Sequence, residues 1–218
     1  MAYHIDAEKI SLGDLQKRLK ATDLVPSRAS LLDELGTKMK SLEKQGITTL
    51  ADLRNELKTS KRLEALAEST GIETQYLTLL RREVEGWFPK PPLLKDFDWL
   101  PKSEIAKLER DGFRDAAALY EATDSKSKRT ALAKSTGADP ATLETLAQLV
   151  DLTRVQWTSP TTARMLLEAG CTGSAKLAKM DADELCEALA RVNIGNKFFK
   201  GRIGLRDVKR LILAASYV

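Results

Sequence analysis

The chain repeats itself, and this constrains its fold more than any other feature of its 218 residues. A displacement of 66 positions lays Leu66-Ala67-Glu68-Ser69-Thr70-Gly71 on Leu132-Ala133-Lys134-Ser135-Thr136-Gly137 without a gap. It also brings Leu42, Gly46, Ala51, Leu53, Leu77 and Leu80 onto Leu108, Gly112, Ala117, Leu119, Leu143 and Leu146. A displacement of 58 carries Leu108, Gly112, Ala117 and Leu119 onward to Leu166, Gly170, Ala175 and Leu177. Periods of this size mark a unit of several short elements that hides its apolar face against its neighbours. The sequence therefore reads as two long copies and one shorter, divergent copy.

Each copy carries the punctuation of short helices. Gly46 ends an apolar-periodic segment, since glycine accepts the positive φ that closes a helix. Thr48 or Thr49 can cap a helix through Leu50, Leu53 and Leu57. Ser60 can open another, with Leu63, Leu66 and Ala67 on one face and Gly71 at its end. A fourth segment runs from Glu73 through Tyr76, Leu77, Leu80 and Val84. Further on, Asp139-Pro140 and Ser159-Pro160 each supply a cap followed by a proline at the first helical position, and Asp181 with Glu184 resembles a capping box. No stretch alternates apolar and polar residues long enough to make a sheet. The expected fold is all-α, built of stacked hairpin-like helical repeats. Phe88-Pro89-Lys90-Pro91-Pro92 cannot continue a helix. The expected organisation is a one-copy region over 1–87, a Pro-rich linker over 88–95 and a two-copy domain over 96–218. Trp87, Phe88, Phe97 and Trp99 flank the linker and are expected to hold the two halves together.

Three segments share a form in which an apolar approach and a short turn lead into a helix that ends in Gly and an apolar residue. They are 31–47, 97–113 and 150–171, and they resemble the helix-hairpin-helix pattern. Together with Leu132–Gly137, the run Val150-Asp151-Leu152-Thr153-Arg154-Val155 and Ala190-Arg191-Val192-Asn193, they resemble the bacterial domain-of-unknown-function 4332 family. That resemblance covers 96–218, and 28–87 as a partial extra copy. It implies an all-helical, hairpin-like architecture with no established activity. Helix-hairpin-helix relatives bind nucleic-acid backbone through main-chain N–H groups of the hairpin. Here the turns carry Gly36, then Lys102 and Ser103, then Thr158 and Ser159. Pro101 and Pro160 have no N–H to donate, so contact with a phosphate would fall to side chains.

Charge is distributed unevenly. Residues 1–151 hold 24 Lys and Arg against 25 Asp and Glu, whereas residues 152–218 hold 11 against 6. The stretch 191–210 contains Arg191, Lys197, Lys200, Arg202, Arg206, Lys209 and Arg210 against Asp207 alone. Arg206, Lys209 and Arg210 fall at i, i+3 and i+4 and are expected to share one helix face. Such a face engages phosphates in a salt-sensitive way that ignores sequence. The competing expectation is a solvated face with Phe198 and Phe199 buried beneath it.

The rest of the composition excludes chemistry. His4 is the one histidine, Cys171 and Cys186 are the two cysteines, and neither metal nor nucleophile motifs are present. No catalytic residue, metal or cofactor is expected. The absence of a long apolar run and of a signal-like leader makes the cytoplasm the expected compartment and excludes a membrane as partner. The leading expectation is a non-catalytic binding module for DNA or RNA backbone. The alternative is a structural adaptor for a protein partner, its degenerate hairpins serving only as helix corners.

Overall fold

The computed structural model describes residues 2–201 and 203–218. They form a chain of helices, and among them extended pairing is confined to two isolated bridges, Ser11 with Thr49 and Leu93 with Asp115. The chain divides into two compact units, a smaller one over Asp6–Trp87 and a larger one made of Phe88–Val218 with residues 2–5. The smaller holds α1 (Leu12–Ala21), α2 (Leu35–Lys44), α3 (Leu50–Leu57), α4 (Ser60–Thr70) and α5 (Thr74–Glu85). The larger holds α6 (Lys102–Arg110), α7 (Ala116–Thr123), α8 (Lys126–Thr136), α9 (Pro140–Leu152), α10 (Pro160–Glu168), α11 (Ser174–Leu177), α12 (Ala182–Asn196) and α13 (Leu205–Ala215). Among the described residues, no helix is long and apolar enough to cross a membrane.

Residues matched by the 66- and 58-residue shifts make the same bonds. α2, α6 and α10 all end in a Schellman motif. Gly46, Gly112 and Gly170 take φ of 80°, 93° and 87°, and their N–H groups donate to Glu43, Glu109 and Leu167 at 2.9, 3.1 and 2.9 Å. The following N–H groups, of Ile47, Phe113 and Cys171, reach back to Leu42, Leu108 and Leu166 at 3.3, 3.0 and 2.8 Å. The apolar residue after each glycine is thereby laid over the helix it closes. Nothing lies within 4 Å of a Cβ built on Gly112, so Gly112→Ala should cost only the left-handed backbone strain, about 1–2 kcal/mol. A urea midpoint lowered by that energy divided by the m-value, with the m-value itself unchanged, checks this.

The Leu-Ala-x-Ser-Thr-Gly step is likewise duplicated in space. Gly71 and Gly137 cap α4 and α8 in the left-handed region and donate to Ala67 and Ala133 at 2.9 and 3.0 Å. Thr70 and Thr136 donate to the Leu66 and Leu132 carbonyls at 2.6 and 2.8 Å, and their hydroxyl oxygens accept from the N–H of Ile72 and Ala138. These local bonds satisfy the carbonyls and amides that a helix end exposes. The bridges also correspond. Leu12 and Leu94 donate to Thr48 and Arg114, while Leu50 and Ala116 donate to Ile10 and Pro92. Pro92, within the expected linker segment, is thus bonded into the larger unit.

In the larger unit α9 is central and packs on α7, α8 and α10, with Leu146, Leu149, Val150 and Leu152 fully buried. Each such side chain contributes roughly 1.5–3 kcal/mol on burial. The aromatics expected to join the halves find partners inside their own units. Trp87 lies under the Arg18 guanidinium at 3.6 Å, Phe88 faces His4, and Phe97 meets Trp99 edge-on at 5.7 Å. Residues 2–5 are held by Tyr3, whose hydroxyl donates to Thr153 Oγ1 at 3.0 Å.

Candidate nucleic-acid interface

The basic stretch spans the end of α12, a connection, and most of α13. α12 stops where Lys197 takes φ 54° and its N–H donates to the Asn193 carbonyl at 2.7 Å. The Asn193 side chain then holds the connection from both sides. Its Nδ2 donates to the Phe199 carbonyl at 2.9 Å and its Oδ1 accepts from the Phe199 N–H at 2.8 Å. Gly201 completes the clamp, because a Cβ there would stand 2.7 Å from Phe199 Cε1. Phe199, placed in this way, is 55% exposed. The expectation that both phenylalanines lie buried fails at Phe199, because the clamp fixes its backbone in the connection rather than over the core. Phe198 is half-buried, with the Arg164 guanidinium 4.8 Å from its ring and 5.1 Å from that of Trp99. Arg164 is itself oriented by Glu168, which accepts from Arg164 Nε at 2.8 Å and from Asn196 Nδ2 at 2.9 Å.

The cations separate into two kinds. Lys197, Lys200, Arg206 and Lys209 are exposed, and Arg191 is exposed beside Glu187 at 3.6 Å. Arg202 lies outside the described residues. Arg210 departs from the face expected for it with Arg206 and Lys209. Its side chain is 12% exposed, its guanidinium lies 4.3 Å over the Trp157 ring, and Asp207 is 3.8 Å away. Stacking on the indole accounts for this inward turn, since a guanidinium gains from the negative face of an aromatic ring. Arg210 Nε is buried and has no hydrogen-bond partner among the described residues.

Trp157 stands in the turn before α10 with φ 69° and is 44% exposed. Together with Met165, Leu189, Phe198, Phe199 and Arg210 it lines a groove of about 610 Å³. Ser159 lies at the groove too, but its hydroxyl accepts from the Thr162 N–H at 3.1 Å and caps α10. Thr158 is buried, and its Oγ1 has no hydrogen-bond partner among the described residues. Its hydroxyl is turned from solvent and cannot meet a phosphate as expected. Lys102 and Ser103 are exposed in the first turn of α6. Gly36 is the second residue of α2, where a Cβ would stand 3.3 Å from Gln16 Nε2 of α1. Its role there is helix packing, not turn formation.

The model of the family described as Domain of unknown function (DUF4332) matches residues 100–217. The chain belongs to this family. No curated protein and no solved structure matched the chain. The DUF4332 segment includes α6 to α13 and hence every described residue of the groove, whereas Tyr3, which docks on Thr153, lies outside it. Cys171, also within it, is buried. Burial pushes its thiol above the ordinary range, and its Sγ lies 3.6 Å from the Gly173 carbonyl. That is the setting of a packing residue rather than a nucleophile.

Trp157 and Phe199 are the residues that sequence reasoning did not single out for this site. No sequence pattern marks Trp157, because its positive φ, at a turn position where Gly or Asn is the usual occupant, is a property of the folded turn.

Proposed function

We propose that the DUF4332 region is a non-catalytic, cytoplasmic binding module that engages nucleic-acid backbone without reading sequence. The observation that carries this reading is the run of exposed cations along the two segments that also contribute the walls of one groove. In the chain, Lys197 and Lys200 bracket the groove-lining Phe198 and Phe199, while Arg206 and Lys209 flank the groove-lining Asp207 and Val208 on α13. Asp207 is the lone acidic residue in 191–210. Cations that replace condensed counterions bind phosphates with an affinity that falls as salt rises, by a slope of about 0.7–0.9 per phosphate.

The test is binding of mixed-sequence DNA and RNA by the full chain at two salt concentrations. The variant carrying Lys197→Ala, Lys200→Ala and Lys209→Ala should flatten the salt slope by about 2–3 and weaken binding roughly uniformly across sequences. Absence of binding at low salt, or indifference to the triple substitution, overturns the reading. The apolar lining supplied by Met165, Leu189 and Leu211 favours one second reading, a structural adaptor that holds a protein at the same groove. That reading expects one defined partner whose co-purification survives nuclease.

A further inference from the structure

We infer that the groove selects unpaired nucleic acid, with bases stacked on the open sides of Trp157 and Phe199 and the phosphates met by Lys197 and Lys200 beside the two phenylalanines. This inference rests on the backbone-binding reading and narrows its ligand from any polyanion to a single strand.

Three features of Trp157 point this way. It is a bulky residue in the left-handed region, at φ 69°, a conformation that costs about 1–2 kcal/mol and is tolerated chiefly where surroundings or function require it. It is 44% exposed, although a large indole is among the more rewarding groups to bury. Finally, one of its faces is held from below by the Arg210 guanidinium at 4.3 Å, so that the ring is fixed in orientation while it remains open to a ligand. Phe199 repeats the pattern by different means. The Asn193 amide grips its backbone on both sides and the bare backbone of Gly201 lies against its ring, yet 55% of the residue is exposed. Both aromatics are therefore rigid and exposed, and they line one groove.

The chemistry of the occupant follows. A fixed flat apolar ring pairs best with another flat ring, and a base offers its face only when it is out of a duplex stack. The complementary charge comes from Lys197 and Lys200, exposed on either side of Phe198 and Phe199 in the chain. Aromatic platforms beside cations are the physical means by which single strands are held without sequence preference, each stacked base being worth about 1–3 kcal/mol. An apolar peptide would fill the groove as well, but it would leave the lysines unanswered.

The probes are an oligothymidylate of about 20 nucleotides, longer than a typical single-strand site, and a duplex of the same length, both titrated against the full chain at one low salt concentration. The oligothymidylate should bind at least about tenfold tighter than the duplex and should quench indole emission. Trp157→Ala should weaken single-strand binding about tenfold and abolish most of the quench, while Trp157→Phe, which keeps a stacking face, stays within about threefold of the parent. Phe199→Ala should act in the same direction, and duplex binding should not change with either alanine variant. Equal affinity for single strand and duplex, or single-strand binding unmoved by Trp157→Ala and Phe199→Ala, overturns this inference and leaves backbone binding standing. If neither probe binds, both readings fall.

Discussion

Tyr3→Ala should destabilise the larger unit by about 3–5 kcal/mol, the range for truncating a buried aromatic to alanine. Tyr3 is 2% exposed, its ring meets that of Tyr120 edge-on at 6.1 Å, and its hydroxyl donates to Thr153 Oγ1 at 3.0 Å. Its carbonyl accepts from Arg154 Nε at 2.8 Å, so the side chain positions a backbone group that a buried guanidinium uses. Native-state hydrogen exchange localises the effect. The amides of Leu146 and Leu149 in α9 should lose protection, and that of Leu53 in α3 should keep it. Equal loss in both places, or none, would contradict the assignment of residues 2–5 to the larger unit.

The same tyrosine gives that unit an alkaline limit. Burial pushes the Tyr3 phenol up to about 12 from 10, against smaller opposing effects of the Thr153 hydrogen bond and the Arg154 charge. Since the folded-state value is the higher one, its contribution is fully present below pH 10. It is lost as pH rises through 12, and two pH units correspond to about 3 kcal/mol. Tyr3→Phe should cost about 1 kcal/mol at neutral pH and remove most of the decline between pH 10 and 12. Burial also raises Tyr120 and so keeps a remainder. The smaller unit should decline over the same window in both proteins, because Tyr76, whose hydroxyl donates to the Leu31 carbonyl at 2.9 Å, is likewise pushed up to about 12 by burial.

What the sequence reveals here depends on how far apart the interacting atoms are along the chain. Gly46, Gly112 and Gly170 announce their helix ends because the bonds they permit close within five residues. Asp139 and Ser159 announce starts because each accepts from the amide three residues on. Even the duplicated Thr70 and Thr136 bonds lie inside one helical turn. The candidate site obeys other rules. The exposure of Phe199 follows from an amide six residues upstream and a missing Cβ two residues downstream, and no periodicity encodes that pairing. Arg210 looked like one of three cations on a face. Whether it points to solvent or onto Trp157 depends on a ring more than 50 residues earlier in the chain. Charge arithmetic marks a segment but could not tell which of its cations face solvent.

Asp151→Ala should cost the larger unit about 3–5 kcal/mol, as expected when a buried cation loses its ion partner. Asp151 works with both oxygens. Oδ1 accepts from Arg154 Nη1 at 2.7 Å, and Oδ2 accepts from the Ser174 N–H and hydroxyl at 2.7 and 2.9 Å, capping α11. The approach is close enough that a Cβ on Gly173 would stand 2.8 Å from Oδ2, which gives that glycine its reason. Arg154 has a side chain only 9% exposed, and its other partners, the Tyr3 carbonyl and the Tyr120 hydroxyl at 2.6 Å, are neutral. Without Asp151 a buried guanidinium keeps its hydrogen bonds to Tyr3 and Tyr120 and loses its countercharge. Asp151→Asn, which can still accept from Ser174, should fall between parent and alanine variant. Because Tyr3 and Asp151 act on the same guanidinium, the Tyr3→Ala, Asp151→Ala pair should destabilise by at least about 1 kcal/mol less than the two single losses together. Urea titration of the four proteins decides it. Simple additivity would mean that Arg154 does not couple the N-terminal segment to α9 and α11.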